Sequence, residues 1–359
     1  MCDLYLKSGK PMPLSPRTLL YRQLEQLENA GYKLVIGLEV EFHLFQIDDA
    51  NLTMDASTQP AVPPSVKPLG HGYQYQSEQE IDIHAPIIYP FYEHLHALGL
   101  PVRSMEDEWG PGQCEITLDP LPALDAADAM ILLRSTLKQV ARHNNCLVTF
   151  MCKPALPNVY SSGWHLHQSL TGIDDGNNAF ATRQRGDLLS DTGQHYVGGL
   201  IAHSAASTAF SNPTINGYKR LNANPLAPNR AVWSVDNKAA YLRLVGGGDD
   251  PVTHIENRSG EPAANPYLFI ASQVAAGLDG LKLKRDPGPP VSDPYSQVEK
   301  PALPRSLMEA VTALSESKLF KDSFGEVFIN YYLGLKQHEI HRFLSTVTEW
   351  EHQEYFERY

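Results

Sequence analysis

The sequence predicts an α+β fold built around an antiparallel sheet. Two observations carry this. Segments with strand-like and helix-like patterning are mixed along the chain without strict β-α-β alternation. Hydrophobic residues make up 42% of the 359 residues, and the mean hydropathy is −0.30, which suits a globular chain with an ample core. The length suits either two domains or one large one.

The elements follow in order. Ser15-Pro16 opens a helix, with Ser as N-cap and Pro at the first helical position; Leu19, Leu20, Leu24 and Leu27 give it an apolar stripe, and Gly31 ends it. Lys33 to Phe45, rich in Val, Ile and Phe, reads as a strand. Asn51 to Gln76 reads as a long loop or irregular hairpin, and Tyr89 to Leu98 as a helix. Val102–Met105 and Cys114–Leu118 read as strands around the turn Gly110-Pro111-Gly112. Ala123 to Asn144 is a long amphipathic helix. Leu147–Met151, Trp164–Leu170, Ala231–Val235, Tyr241–Leu244 and Thr253–Asn257 read as strands, 191–210 and 264–280 as helices. Lys284 to Pro304 is a Pro-rich extended connector, and helices run from Leu307 onward.

Composition narrows the function. Lys+Arg 29 against Asp+Glu 41 gives a net charge of −12, which disfavours nonspecific binding to nucleic acid or anionic membrane. No apolar run approaches a membrane span, and the N-terminus lacks a signal-peptide pattern. Cys2, Cys114, Cys146 and Cys152 form no Cys-x-x-Cys pair and read as reduced thiols in the cytoplasm. No Gly-rich P-loop is present, so a nucleotide must be held in some other way.

Four short motifs could carry chemistry. Glu39-Val40-Glu41, His165-Leu166-His167 and Glu256-Asn257-Arg258 each place two polar groups at i and i+2, which project from one face of a strand. The turn Glu108-Trp109-Gly110-Pro111-Gly112-Gln113-Cys114-Glu115 brings two carboxylates back toward one centre. Singly, each pattern is commonplace on solvated strands and turns. Together they supply five carboxylates and one or two imidazoles, a donor set that suits Mg²⁺ or Mn²⁺ over Zn²⁺. Arg220, Arg243 and Arg258 add guanidinium forks, each of which could equally serve an ordinary ion pair; beside acidic metal centres they suit phosphoryl transfer. Arg220 ends a polar turn that starts at Asn212.

In this order, the motifs resemble the catalytic domain of glutamine synthetase. The resemblance runs from Asp3-Leu4-Tyr5 and Ser15-Pro16-Arg17 through Gly37 to Phe42, the GPGQ turn, Ser162 to Ser169, Asn212 to Leu221 and Asn265 to Gly280, and ends at Thr348-Glu349-Trp350-Glu351, which is similar to the polyamine-type branch. It implies one catalytic domain over 1–359: a lead-in at 1–31, an open antiparallel barrel at 32–283 bearing the site, and a connector with C-terminal helices at 284–359. It implies that Glu41, Glu108 and Glu115 hold one metal and that Glu39, His165 and Glu256 hold another. Arg220, Arg258 and Gly163 would bind glutamate, Arg243 would face the transferred phosphate with Arg220 as a second catalytic arginine, and His167, Ser169 and Lys238 would lie near ATP. The implied reaction phosphorylates the γ-carboxylate of L-glutamate from ATP; ammonia or an amine then displaces phosphate.

Three departures from the family pattern shape the expected function. The β-grasp domain that precedes this region in the family is missing from this sequence, so the chain is a truncated form, or a homo-oligomer would need the cap from another chain, or catalysis is impaired or lost. The flap glutamate is replaced by Leu226, which cannot attract a cation and so points to an organic amine acceptor in place of ammonia. Two phosphate-facing arginines are replaced by Lys238 and His254.

Overall fold

The computed structural model describes residues 1–223 and 226–359. Its centre is one sheet in which the strands run in the order β3-β4-β1-β6-β9-β8-β7, with β2 and β5 paired to the far half of β1. The long β1 (Tyr32–Asp49) is the spine. Beside it lie β4 (Gln113–Pro122) and β6 (Trp164–Gly172), both antiparallel to it. β2 (Ser65–Pro68), β3 (Val102–Asp107), β5 (Cys146–Thr149), β7 (Trp233–Val235), β8 (Leu242–Val245) and β9 (His254–Asn257) complete the sheet.

Alternation along β1 sets its two faces. Leu34, Ile36, Leu38 and Val40 are buried in the core, while Val35, Gly37 and Glu39 on the opposite side are partly open. The core face packs on α1 (Pro16–Asn29) and α3 (Ala123–His143), with α2 (Glu78–Ala97) lying over α3 and β3. Behind them runs α7 (Pro266–Leu283), buried over most of its length and capped by the Asn265 side chain; its Phe269 meets Trp164 edge-on at 5.2 Å. The Ser15 cap and Pro16 start of α1 form as the sequence predicts.

The α+β class holds, with four differences in detail. The sheet is open and mostly antiparallel, but β7 and β8 pair in parallel, because the chain returns over Asp236 to Tyr241 before β8 begins. The helix expected at 191–210 is two, α4 (Asp191–Ala202) and α5 (Ser204–Ser211), divided at His203. The polar turn before Arg220 continues into a short helix, α6 (Gly217–Ala223), so Arg220 stands on a helix. The helix expected from Tyr89 begins about three turns earlier, at a Ser77 cap, and holds Pro86 and Pro90 within it. C-terminal to the Pro-rich connector come α8 (Leu307–Glu316), α9 (Lys318–Phe324), α10 (Glu326–Leu344) and α11 (Glu349–Tyr355).

Candidate active site

Sheet register gathers the acidic and basic groups. Glu41 of β1 lies opposite Glu115 of β4, and Glu39 lies opposite His165 of β6. His167 is opposite Glu256 of β9, and Glu256 is opposite Arg243 of β8. Residues directly opposite each other share a face. The register therefore draws one continuous row of functional side chains across five strands.

Hydrogen bonds fix the row. His165 Nδ1 is 2.5 Å from Glu39 Oε1 and 3.5 Å from Glu256, and its Nε2 is 3.6 Å from Glu41. His167 Nε2 lies 2.9 Å from Glu39 Oε2, and its Nδ1 lies 3.0 Å from His254 Nε2. Glu41 accepts from the Gly163 N–H at 2.9 Å and from Gln113 Nε2 at 3.0 Å. Glu256, fully buried, accepts from Arg243 at 3.1 Å and from Arg258. Arg258 also donates from Nε to the Lys238 carbonyl at 2.7 Å. Arg243 is tied on its outer side to Asp236. Arg220 donates to the Arg258 carbonyl at 3.1 Å and sits 3.2 Å from His165 Nε2.

Gly163 is required by this packing. A Cβ there would stand 2.7 Å from an Arg220 nitrogen and 2.9 Å from His165 Nε2. Only a bare Cα lets both side chains pass and leaves the amide aimed at Glu41.

The two ends of the row differ electrically. At the Glu256 end, burial works against ionisation, but Arg258 and His165 hold that carboxyl below its usual range. Glu39 behaves likewise between His165 and His167, well below the usual range despite burial. At the other end Lys238 offsets only part of the repulsion at Glu108, and among the described residues neither Glu108 nor Glu115 forms a salt bridge. Burial, joined by the neighbouring carboxylates, pushes Glu108 up to about 8 and Glu115 up to about 11. Glu39, Glu115 and His165 bring donor atoms within 4.8 Å of one another, as do Glu39, His167 and Glu256. Crowded oxygen donors with an added imidazole, held together against their own repulsion, fit divalent cations of the Mg²⁺ or Mn²⁺ kind.

Two cavities meet at Glu39. The first, about 260 Å³, holds Glu41, Glu108, Glu115, His165, Arg220 and Arg258. Its rim is apolar and aromatic: Tyr75, Trp109, Tyr160 and Leu226. Trp109 is braced by Tyr73 at a ring distance of 5.8 Å. The second cavity, about 480 Å³, takes in His167, Ser169, Arg243 and His254, with Leu118, Pro120 and Val252 on its walls. Lys238 opens on the first cavity beside Arg258, and not on the second with His167 and Ser169.

Sequence reasoning passed over Tyr75 and Tyr160, which lie in segments without periodic pattern. It quoted Gln113 only as part of a turn. The carboxamide of Gln113 is a buried strut that donates to Glu41, to the Ser161 carbonyl at 3.2 Å and to Ser162 Oγ at 3.1 Å.

Carboxylates and imidazoles collected between two cavities, with arginines at the edges, make this the chain's candidate active site. Residues 13–355 match the family model "Glutamine synthetase, catalytic domain". The chain is 42% identical to a γ-glutamylanilide synthase from Acinetobacter sp, covering 99% of this chain and 74% of that protein. It is 33% identical to a glutamine synthetase from Halobacterium salinarum, over 100% and 78% of the two chains. A glutamate–isopropylamine ligase from a Pseudomonas sp is 31% identical, over 99% and 76%. The solved structure "Apo GmaS without ligand" superposes with a TM-score of 0.85 at 30% identity, covering 99% of this chain and 79% of that one. The chain belongs to the glutamine synthetase family.

Proposed function

We propose that this chain is an ATP-dependent ligase that joins the γ-carboxylate of L-glutamate to an uncharged organic amine, with an arylamine as the best acceptor. The observation that carries the acceptor is the rim of the acidic cavity, where Tyr75, Trp109, Tyr160 and Leu226 stand together. An ammonium or alkylammonium ion needs a carboxylate to attract it and to take its proton; Leu226 offers neither. An arylamine is neutral near pH 7, brings its own nucleophilic lone pair, and presents a flat apolar face that aromatic side chains favour. The likeness to the γ-glutamylanilide synthase supports the same choice.

Arg258 and Arg220 reach the acidic cavity and would hold the glutamate carboxylates by charge-assisted hydrogen bonds. Arg243 faces the second cavity, where His167, Ser169 and His254 would hold the nucleotide. The γ-carboxylate takes the terminal phosphoryl group of ATP, and ADP leaves. The amine nitrogen then attacks the acyl carbon; phosphate departs and the nitrogen sheds a proton. Glu41, Glu108 and Glu115 would hold one divalent cation. Glu39 and Glu256, whose carboxylates both lie beside His165 Nδ1, would hold another together with His165; the cations would supply charge neutralisation for the phosphates.

The test is phosphate release from ATP and glutamate with Mg²⁺ or Mn²⁺ and a panel of ammonia, isopropylamine and aniline. Aniline is expected to exceed ammonia in kcat/KM by about tenfold or more, the worth of one apolar contact. Preference for ammonia would overturn the acceptor assignment. No phosphate with any acceptor would overturn the ligase.

A further inference from the structure

Two arginines of the acidic cavity stand on stretches of backbone that are laced together. Arg258 directly follows β9, and Arg220 stands on α6. Arg220 Nη1 donates to the Arg258 carbonyl at 3.1 Å, with the Ser259 and Gly260 carbonyls at 3.4 and 3.5 Å. The next residue is Glu261. Its N–H donates to the Ser211 carbonyl at 3.0 Å, and Asn212 Nδ2 donates to the Ser259 carbonyl at 2.8 Å. One strip, residues 258–261, therefore borders both the polar turn before α6 and the guanidinium that α6 carries.

Glu261 is a buried acid in that strip for which the catalytic row has no use. It is 1% exposed and, among the described residues, forms no salt bridge. Lys336 is taken up by Glu339 at 2.8 Å and by the Pro213 carbonyl at 2.6 Å. A buried carboxyl without a cation is tolerated only where its hydrogen bonds are good. Both go to one residue: Oε1 accepts the Thr214 N–H at 2.8 Å, and Oε2 accepts the Thr214 hydroxyl at 2.7 Å. That hydroxyl in turn accepts from the N–H of Gly217, the first residue of α6, at 3.1 Å. Gly217 lies flush on the carboxyl, since a Cβ there would stand 2.7 Å from its carbon. The start of α6 is thus fixed to the strip at Glu261, and Arg220, three residues on, is fixed to the same strip at Arg258.

We propose that Glu261 and Thr214 are positioning residues for Arg220: their clamp sets where the guanidinium stands between Arg258 and His165, and so sets the affinity for L-glutamate. The inference rests on the reading of Arg220 as a grip on glutamate. Arg220 is 4% exposed and its Nη2 is 3.2 Å from His165 Nε2, so a shift of α6 cannot be absorbed by swinging the side chain into solvent. Asn216 exchanges hydrogen bonds with the Lys153 backbone at 2.8 and 3.0 Å and holds the far side of the turn. Loss of the clamp therefore displaces α6 without releasing it. A carboxyl suits the task because its two oxygens can both accept, whereas an amide has one acceptor and adds a donor.

The test is calorimetric titration of L-glutamate, and separately of ADP, into the full chain loaded with Mn²⁺. Thr214→Val removes the hydroxyl and keeps the side chain's shape. It is expected to weaken glutamate about tenfold, short of the roughly 10²-fold of a full 1 Å misplacement because Asn216 still anchors the turn. ADP affinity should stay within about twofold, and Thr214→Ser, which restores the hydroxyl, should return glutamate to within about twofold of wild type. Arg220→Lys loses the guanidinium fork; in that background Thr214→Val should add less than about twofold, because the two changes lie on one path. Glu261→Gln, shown folded by circular dichroism, should weaken glutamate and spare ADP; if it does not fold, the two Thr214 variants decide. An unchanged glutamate affinity in Thr214→Val, an equal loss for ADP, or a full Thr214→Val effect that persists beside Arg220→Lys overturns the clamp. Wild-type glutamate affinity in Arg220→Lys would instead overturn Arg220 as the glutamate grip.

Discussion

Glu41 and Glu115 face one another across the β1–β4 ladder as direct register partners, two acids where a sheet ordinarily avoids like charge. Burial and the surrounding carboxylates hold Glu115 up to about 11. Its carboxyl therefore keeps its proton at pH 7.5 when no cation is bound. Glu115→Gln mimics that protonated form. The variant is expected to melt within about 2 °C of wild type, or above it, in chelator, and to lose most of the rise in Tm that Mn²⁺ gives wild type. Differential scanning fluorimetry with and without Mn²⁺ measures both. A variant that melts well below wild type in chelator would contradict the crowding argument.

Gly163→Ala tests the close approach beside Arg220. The added methyl meets the guanidinium and His165 at 2.7 and 2.9 Å, and neither can retreat into solvent. Arg220 is held by the Arg258 carbonyl on its far side and is 4% exposed. The expected outcome is a fall of about 10²-fold in kcat/KM for glutamate, the scale of a 1 Å misplacement. Tm should fall by a few degrees, since overpacking a buried site costs about 1–3 kcal/mol. Steady-state kinetics with glutamate varied decide it, and a loss below threefold would show that Arg220 does not depend on this glycine.

The half of the site that was legible in the sequence was the half written in local periodicity. Glu39/Glu41, His165/His167 and Glu256/Arg258 are visible because a strand repeats every two residues. Their assembly is not local. Whether Glu41 pairs with Glu115, or His167 with Glu256, is set by register between strands far apart in sequence. The same limit hid the parallel β7–β8 pair, whose strands are three and four residues long. Tyr75 and Tyr160 reach the cavity from irregular backbone, which carries no period to read.

Leu226 lines the acidic cavity and is 52% exposed. Leu226→Glu would put a carboxylate where an ammonium ion could be drawn in. The variant is expected to gain about tenfold in kcat/KM for ammonia and to lose about tenfold for aniline, each worth about 1.4 kcal/mol. The ratio of the two, from phosphate release, is the measurement. A ratio unchanged within twofold would remove Leu226 from acceptor selection.

Glu261 gives the fold a pH dependence outside the catalytic row. It is 1% exposed and accepts from the Thr214 N–H at 2.8 Å and the Thr214 hydroxyl at 2.7 Å. Burial outweighs these bonds and pushes its carboxyl from the ordinary 4.5 up to about 7. The folded chain then binds more protons than the unfolded one between those values. Its contribution to stability is full below pH 4.5 and is lost as pH rises through about 7, by on the order of 3 kcal/mol at most. Glu261→Gln removes the ionisation but sets an amide N–H against a Thr214 donor, costing about 1–2 kcal/mol at pH 5. The deficit of the variant relative to wild type, from urea unfolding, is therefore expected to shrink between pH 5 and pH 8.5. A deficit that widens with pH would mean that Glu261 is ionised and stabilising in the native state.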